Sequence, residues 1–458
     1  SHCLLPHPCA LEGENRDLLF FADAPHVLKN VRGHLIREQT IFLPRDIVEK
    51  HSLPTNEVSV AHIKELAAID ARQDLKVAPH LKGKYLETNH FEKMNVASAV
   101  AVLNRAVASA IRLFVQMGQL PREALTTAWF LEMVDRWFTL ITSRSFNVAM
   151  SNAKENEHED AVTFLRMFMS MFRRLSIRAP CQNVCFKPVQ AGVIISTRSA
   201  LLLQEKLLSQ HGFRFVLLSR VSQDALENLF SCVRNKHPVP RPLEFKLTLR
   251  LIAMSQFFSP SRRGNYTIDD SVDLTDFLQS SPVPIQEEEV FDPHFLPEVV
   301  LSASEQESMT YLAGYTSRAI VRKHKLCEER TSFLKEAPAT SNTSLIKLKS
   351  YTPNKANPLF TPARNVLELL QHAENTFRVN EKKILNISID KLTTMVLATY
   401  LGKTLPTCHG LAQKLVHMFL LVRLRFYLRK LNLSACKKPS AKCGSRSVAM
   451  RVLTDNVK

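Results

Sequence analysis

A chain of 458 residues, 45% hydrophobic and 22% charged, holds enough apolar material for two or three domains and is not disordered throughout. Its 60 Lys and Arg against 43 Asp and Glu leave a formal charge of +17, a balance that favours a polyanionic partner such as nucleic acid. No run reaches the roughly 18 uninterrupted apolar residues of a membrane span, and no signal-peptide pattern opens the chain, so a soluble intracellular protein is expected.

In chain order, DLLFFA (Asp17 to Ala22) reads as a short buried strand that delivers Asp23 at its end, and Pro25 to Glu38 as a helix with Pro in its first turn. The first residue is Ser rather than Met and this strand comes early, so further sequence of the first domain is expected upstream. Val96 to Met117, rich in Ala, Val and Leu, predicts one buried helix; Glu123 to Ile141 and His158 to Leu175 predict two more. The last should bury Val162, Leu165, Phe168, Met169 and Phe172 on one stripe. FRFVLLS (Phe213 to Ser219) is strand-like and leads into a helix from Ser222 to Asn235. Strand-then-helix grammar thus occurs twice, on either side of a helical block, as in one α/β domain interrupted by an insertion. Helices follow over Glu305 to Lys325 and within Thr361 to Leu433.

The charge is uneven. Thr267 to Ser308 has eleven carboxylates, four prolines and no Lys or Arg, which predicts a linker or extended arm. Leu401 to Lys458 has twelve Lys and Arg against Asp455 alone. Its helix Leu411 to Leu433 sets Arg423, Arg425, Arg429 and Lys430 beside apolar residues, either as a solvated outer face or as contacts to DNA phosphates.

Phosphate-cradling glycine loops, GxSxG, HExxH and CxxC pairs are all missing from the sequence. Nine cysteines, odd in number and thinly spread, read as reduced thiols; Cys181 with Cys185, and Cys408 with His409 and His417, are better taken as ordinary side chains than as zinc ligands. Carboxylates remain. Asp23 ends a strand, and Asp224 and Glu227 share a helix face at i and i+3. Such acids on rigid elements suit hard cations for phosphoryl transfer, and equally suit N-capping and the helix dipole.

Five words carry a resemblance: FFADAPHVLKNVRGHLI (Phe20 to Ile36), FEKMNVASAVAVLNRAVASAI (Phe91 to Ile111), WFTLITSRS (Trp137 to Ser145), FKPVQAGVIISTRSALLLQEKL (Phe186 to Leu207) and LLSRVSQDALENLFSCVRNKHPVPRPLEFKLTLR (Leu217 to Arg250). In this order they resemble the P-element-like transposases, the group that includes the THAP-domain transposases; YLAGYTSRAIV (Tyr311 to Val321) is similar to the family's C-terminal region. The resemblance implies mixed α/β and all-α architecture. An N-terminally incomplete RNase H-like domain (residues 1–85 and 206–262) is interrupted by a helical GTP-binding-type insertion (86–205). An acidic linker (263–308), a helical C-terminal domain (309–435) and a basic tail (436–458) follow.

It further implies cut-and-paste DNA transposition in the nucleus, with Mg2+ and GTP as cofactors and possible homodimers. Of the metal-holding acids, the second Asp corresponds to Asp23 and the Glu to Glu227; the first Asp, expected far upstream, has no counterpart here. Around the nucleotide, the family pattern maps to His80, Val96, Asn104, Phe138, Thr139 and Asp224. His80 replaces a Lys, Asn104 a Ser and Thr139 an Asp, so guanine selectivity is expected to be weakened: one hydroxyl cannot offer the two charged acceptors of a carboxylate. Two readings stand, a transposase or part of one that is inactive as the chain stands, and a domesticated nuclear DNA-binding or interaction protein without catalysis.

Overall fold

The computed structural model describes residues 18–37, 39–87, 95–178, 186–236, 239–256, 300–324, 334, 343–350, 359–401 and 410–436. The acidic stretch up to 299, the tail from 437, Asp17, His409 and the cysteines Cys3, Cys9, Cys181, Cys185, Cys327, Cys408 and Cys443 lie outside the described residues. Cys232 is a half-buried free thiol. The chain divides into two units, Ser1–Ala68 with His80–Ile285, and Ile69–Pro79 with Gln286–Lys458.

In the first unit, α1 (Ala24–Ile36) is followed by β1 (Thr40–Phe42), α2 (Arg45–Lys50), β2 (Glu57–Val58) and α3 (Val60–Asp70), whose last residues count with the second unit. Then come α4 (Val96–Val102), α5 (Arg105–Gln116), α6 (Ala124–Ile141), α7 (Glu155–Arg174), β3 (Ser176–Arg178), α8 (Pro188–Glu205), α9 (Asp224–Lys236) and α10 (Pro242–Gln256). The strands form one antiparallel sheet in the order β2-β1-β3, centred on Ile41, which faces Val58 on one side and Ile177 on the other.

This sheet is not the one expected. DLLFFA forms no strand over its described residues 18–22, and FRFVLLS contributes a single bridge, Val216 to Met150, before a 3-10 turn. A strand exists only where a neighbour satisfies its backbone, and no described strand lies beside either run. Instead Ala22 spends its N–H and its carbonyl on one side chain, the Ser196 hydroxyl, at 2.8 and 2.9 Å. Leu18, Phe20, Phe213 and Phe215 are left exposed. The single helix expected over Val96 to Met117 is two, because the Asn104 side chain caps a fresh start at Val107 N–H. The apolar stripe of α7 also lies a little off the expected one, burying Ala161, Phe164, Leu165, Phe168, Met171 and Phe172 while Val162 and Met169 stay half-exposed.

The FKPVQAGVIIST word explains itself as packing. Pro188 opens α8; Gln190, buried, donates to the carbonyls of Phe172 and Leu175 at 2.9 Å each and accepts the Lys187 N–H, closing the end of α7. Gly192 lets α1 approach, since a Cβ there would lie 3.0 Å from Val27 Cγ2. Thr197 Oγ1 takes the indole N–H of Trp137, which stacks on Phe168 at 5.6 Å.

The second unit is α11 (Ala303–His324), α12 (Ser344–Lys349), α13 (Arg364–Val379), α14 (Ile389–Thr399) and α15 (Leu411–Cys436), packed with the segment Ile69–Pro79 around Met309, Leu369, Phe377, Val396 and Phe419. Glu374, 0% exposed, accepts Arg423 Nε on both oxygens (3.0 and 2.8 Å) and Arg378 Nε at 2.7 Å. Arg378 extends the chain to Glu305, which also accepts the N–H groups of Asp74 and Leu75. Gly314 on α11 permits the closest approach in the unit: a Cβ would lie 2.0 Å from the Phe360 carbonyl oxygen.

Gly314→Ala is therefore expected to destabilise the protein by about 1–3 kcal/mol, the usual cost of overpacking, read as a lower urea midpoint. Gly83→Ala, where nothing lies within 4 Å, should stay within about 0.5 kcal/mol of the parent.

Candidate active site

α1 begins where Pro25 fixes the first turn and Asp23 caps it, its Oδ2 accepting His26 N–H at 3.3 Å. The second oxygen looks elsewhere. Asp23 Oδ1 accepts the N–H of Gln223, two hundred residues on, at 3.3 Å. One carboxylate thus joins the starts of α1 and α9, and Glu227 stands one turn into α9. Half-buried Lys29 senses both acids: burial lowers its pKa, while the charges of Asp23 and then Glu227 hold it up. The charge of one ammonium group is thus felt by both acids.

Asp224 points to another partner. Its Oδ2 pairs with Arg144 at 2.5 Å, and its Oδ1 is buried with no hydrogen-bond partner. Asn228, one turn along the same face, carries a second orphaned buried oxygen. The segment leading into α9 is bolted to the end of α6: Leu218 N–H donates to Ser143 Oγ at 3.0 Å and Ser219 N–H to the Ser143 carbonyl at 3.2 Å. Asp23 and Glu227 are hard oxygen donors suited to Mg2+. Among the described residues, however, no three His, Cys, Asp or Glu side chains cluster as a metal site. They do not by themselves complete a two-metal centre.

The residues assigned to a nucleotide are spread from His80, in a turn ahead of α4, through α4 to α6 and on to α9. Val96 opens α4, half-buried. The Asn104 amide is engaged at both ends, accepting from Val107 N–H at 2.9 Å and donating to the Val100 carbonyl at 2.7 Å. Phe138 is half-buried, Thr139 and His80 exposed. One turn before them on α6, Asp135 faces Arg105, 3.8 Å away, and takes its backbone N–H. Burial pushes the Asp135 carboxyl up to about 6 against the pull of Arg105.

Residues 25–155 match the family model "TNP-like, GTP-binding insertion domain". The "Transposable element P transposase" of Drosophila melanogaster is 22% identical over 245 residues, a match that takes in 52% of this chain and 31% of that protein. Both comparisons make the chain similar to the P-element-like transposases. It aligns with about a third of the length of the curated relative. The solved "Drosophila P element transposase strand transfer complex" is similar with a TM-score of 0.44 and 21% identity over 53% of each chain. The family-model match starts at Pro25, two residues after Asp23 and well ahead of residue 86, the expected start of the insertion.

In the second unit, the basic helix α15 answers differently from expectation. Arg423 is 5% exposed, shared between Glu374 and the face of Phe377 at 4.7 Å, so it is a core residue and not a phosphate contact. Lys430 is paired with Asp74 at 2.6 Å, and Arg425 and Arg429 are half-buried. Arg144, Asp135 and Asn228 are not singled out by residue type or spacing. Arg144 sits inside the WFTLITSRS word and Asn228 inside QDALEN; nothing but the fold distinguishes Asp135.

Asp135 gives a pH test. Its folded pKa lies above the ordinary carboxylate value of 3.8, so the native state keeps its proton longer than the unfolded chain. The resulting stabilisation is full below about pH 4 and is lost as pH rises through about 6. Asp135→Asn should remove that loss and raise stability at pH 7.5 by about 2 kcal/mol, with little change at pH 4, as chemical denaturation at the two pH values would show.

Proposed function

We propose that this chain is the portion of a P-element-like DNA transposase that unites the second catalytic Asp, the insertion domain and the catalytic Glu. Asp23 and Glu227 are its metal-binding acids, and the chemistry such a site supplies with Mg2+ is in-line phosphoryl transfer for DNA cleavage and joining. The observation that carries this is the Asp23–Gln223 hydrogen bond, which sets the start of α1 against the helix of Glu227. The RNase H-like frame around these acids, the THAP module, nuclear residence, integration of DNA and action as a homodimer belong to the same proposal. The formal charge of +17 suits a DNA backbone as partner.

A second reading, a domesticated DNA-binding protein without catalysis, draws support from Lys29, whose ammonium brings to the two acids the positive charge that a metal would otherwise bring. Mn2+ titration followed by electron paramagnetic resonance separates the acids' role from mere capping. Lys29→Met should tighten Mn2+ binding by up to roughly fivefold, since a nearby unit charge is worth on the order of 1 kcal/mol or less in water. Glu227→Gln should weaken it by at least as much, and indifference to both substitutions would sink the metal assignment. In a strand-transfer assay the transposase reading requires joining that Glu227→Ala abolishes; DNA binding with no joining favours the second.

For the nucleotide, Thr139 is exposed and the Asn104 amide is committed to its own helix, so neither replaces a carboxylate at a guanine edge. Titration calorimetry should find GTP bound no more tightly than ATP. A GTP preference of tenfold or more would refute the weakened pocket.

A further inference from the structure

The YLAGYTSRAIV word is not used up by packing. Gly314 serves the Phe360 crossing, and the hydroxyls of Thr316 and Ser317 return to the carbonyls of Leu312 and Ala313. Positions 308, 311, 315, 318 and 322 recur at alternating steps of three and four and so lie along one face of α11. That face carries Ser308, Tyr311, Tyr315, Arg318 and Arg322. Tyr315 is 50% exposed and Arg322 is exposed. Two polar groups along it are orphaned: Ser308 Oγ and Arg318 Nε are buried atoms with no hydrogen-bond partner. A guanidinium N–H out of water and without an acceptor is costly unless a ligand supplies the acceptor.

The charge of the face is settled by its neighbours. The helix's two acids beyond Ser302 are committed, Glu305 to Arg378 and the Asp74 and Leu75 N–H groups, Glu307 to the Ser344 and Leu345 N–H groups that open α12. Lys349 adds a buried amine 4.1 Å from the centre of the Tyr311 ring. Among the described residues, neither Arg318 nor Arg322 forms an ion pair with a carboxylate. From Tyr311 to Arg322 the face runs about 16 Å along the helix, with aromatic rings at one end and guanidinium groups at the other.

We propose that Tyr315, Arg318 and Arg322 form a contact surface for single-stranded DNA, an unpaired base stacking on Tyr315 while backbone phosphates meet the two arginines. An exposed aromatic ring beside fixed cations suits a base with its phosphate, whereas duplex DNA hides its base faces. The surface belongs to the second unit and Asp23 and Glu227 to the first, and the inference rests on the reading of DNA as the partner.

Fluorescence anisotropy of the full chain with a labelled single strand and with the matching duplex tests it. Tyr315→Ala should cost roughly 5- to 150-fold in single-strand affinity, the range for one lost stacking platform, and leave duplex binding within about twofold. Tyr315→Phe, which keeps the ring, should bind as the parent does. Arg322→Gln should lower the slope of log affinity against log salt by about 0.7. Unchanged single-strand binding by Tyr315→Ala, or an equal loss for single strand, duplex and heparin, overturns the surface while leaving DNA as the partner. Failure of the parent chain to bind either form of DNA removes the partner itself, and the surface with it.

Discussion

The first unit depends on where one carboxylate spends its two oxygens. Asp23 gives one to its own helix and the other to Gln223, so the cap that starts α1 is also the clasp that holds the start of α9. Both ends of this clasp are fastened independently. Ala22 is held on the upstream side by two bonds to Ser196, and the segment before Gln223 is held to Ser143. An N-cap of this kind is worth about 1 kcal/mol of helix stability, too little by itself to bring together segments two hundred residues apart. The fasteners on either side supply the missing precision, and they explain why Ser196 and Ser143 belong to the same set of words as the acids.

The second unit spends charge where the first displays it. Glu374 has no exposed surface and two arginines, Arg378 and Arg423, and a buried carboxylate so placed would be prohibitive without them. Arg378 then passes the network to Glu305, which holds the Asp74 and Leu75 N–H groups, while Lys349 donates to the Val77 carbonyl at 3.1 Å. A segment distant in sequence is bound into this unit by charged side chains as well as by Leu75 in its apolar core. Several cations counted in the formal charge are consequently unavailable to any polyanion, and a helix rich in arginine turns out to be a core helix.

That difference marks what the sequence could and could not say. Helices were legible because their periodicity and caps are local, as Pro25 in the first turn of α1 shows, whereas the apolar run from Val96 to Met117 hid the break that the Asn104 cap makes. The acids Asp23, Asp224 and Glu227 were legible because capping and metal binding ask for the same residue type at a helix start, although spacing alone left the two roles open. The sheet was not. Thr40 to Phe42 and Ser176 to Arg178 are three residues each, far too short for alternation to register, and their pairing is decided by Ile41 lying between Val58 and Ile177. Arg423 and Asp135 were illegible for a related reason, since their chemistry is set by Glu374 and Arg105, neither of which lies within a helical turn of its partner.

The two runs that read as strands and are not strands deserve a physical account of their own. DLLFFA and FRFVLLS have apolar residues enough to line a sheet, but a strand's backbone is satisfied only by another strand, and hydrophobic pattern cannot report whether that neighbour is present. Among the described residues Ala22 turns its amide to Ser196, Val216 makes one bridge to Met150, and Leu18, Phe20, Phe213 and Phe215 are exposed. The Asp23 clasp depends on helix starts rather than on a sheet. It follows that the placement of Asp23 and Glu227 is set by α1, α9 and the fasteners at Ser196 and Ser143 rather than by a strand pairing, and a packing layer that covered the exposed phenylalanines could add ligands to the pair without having to create it.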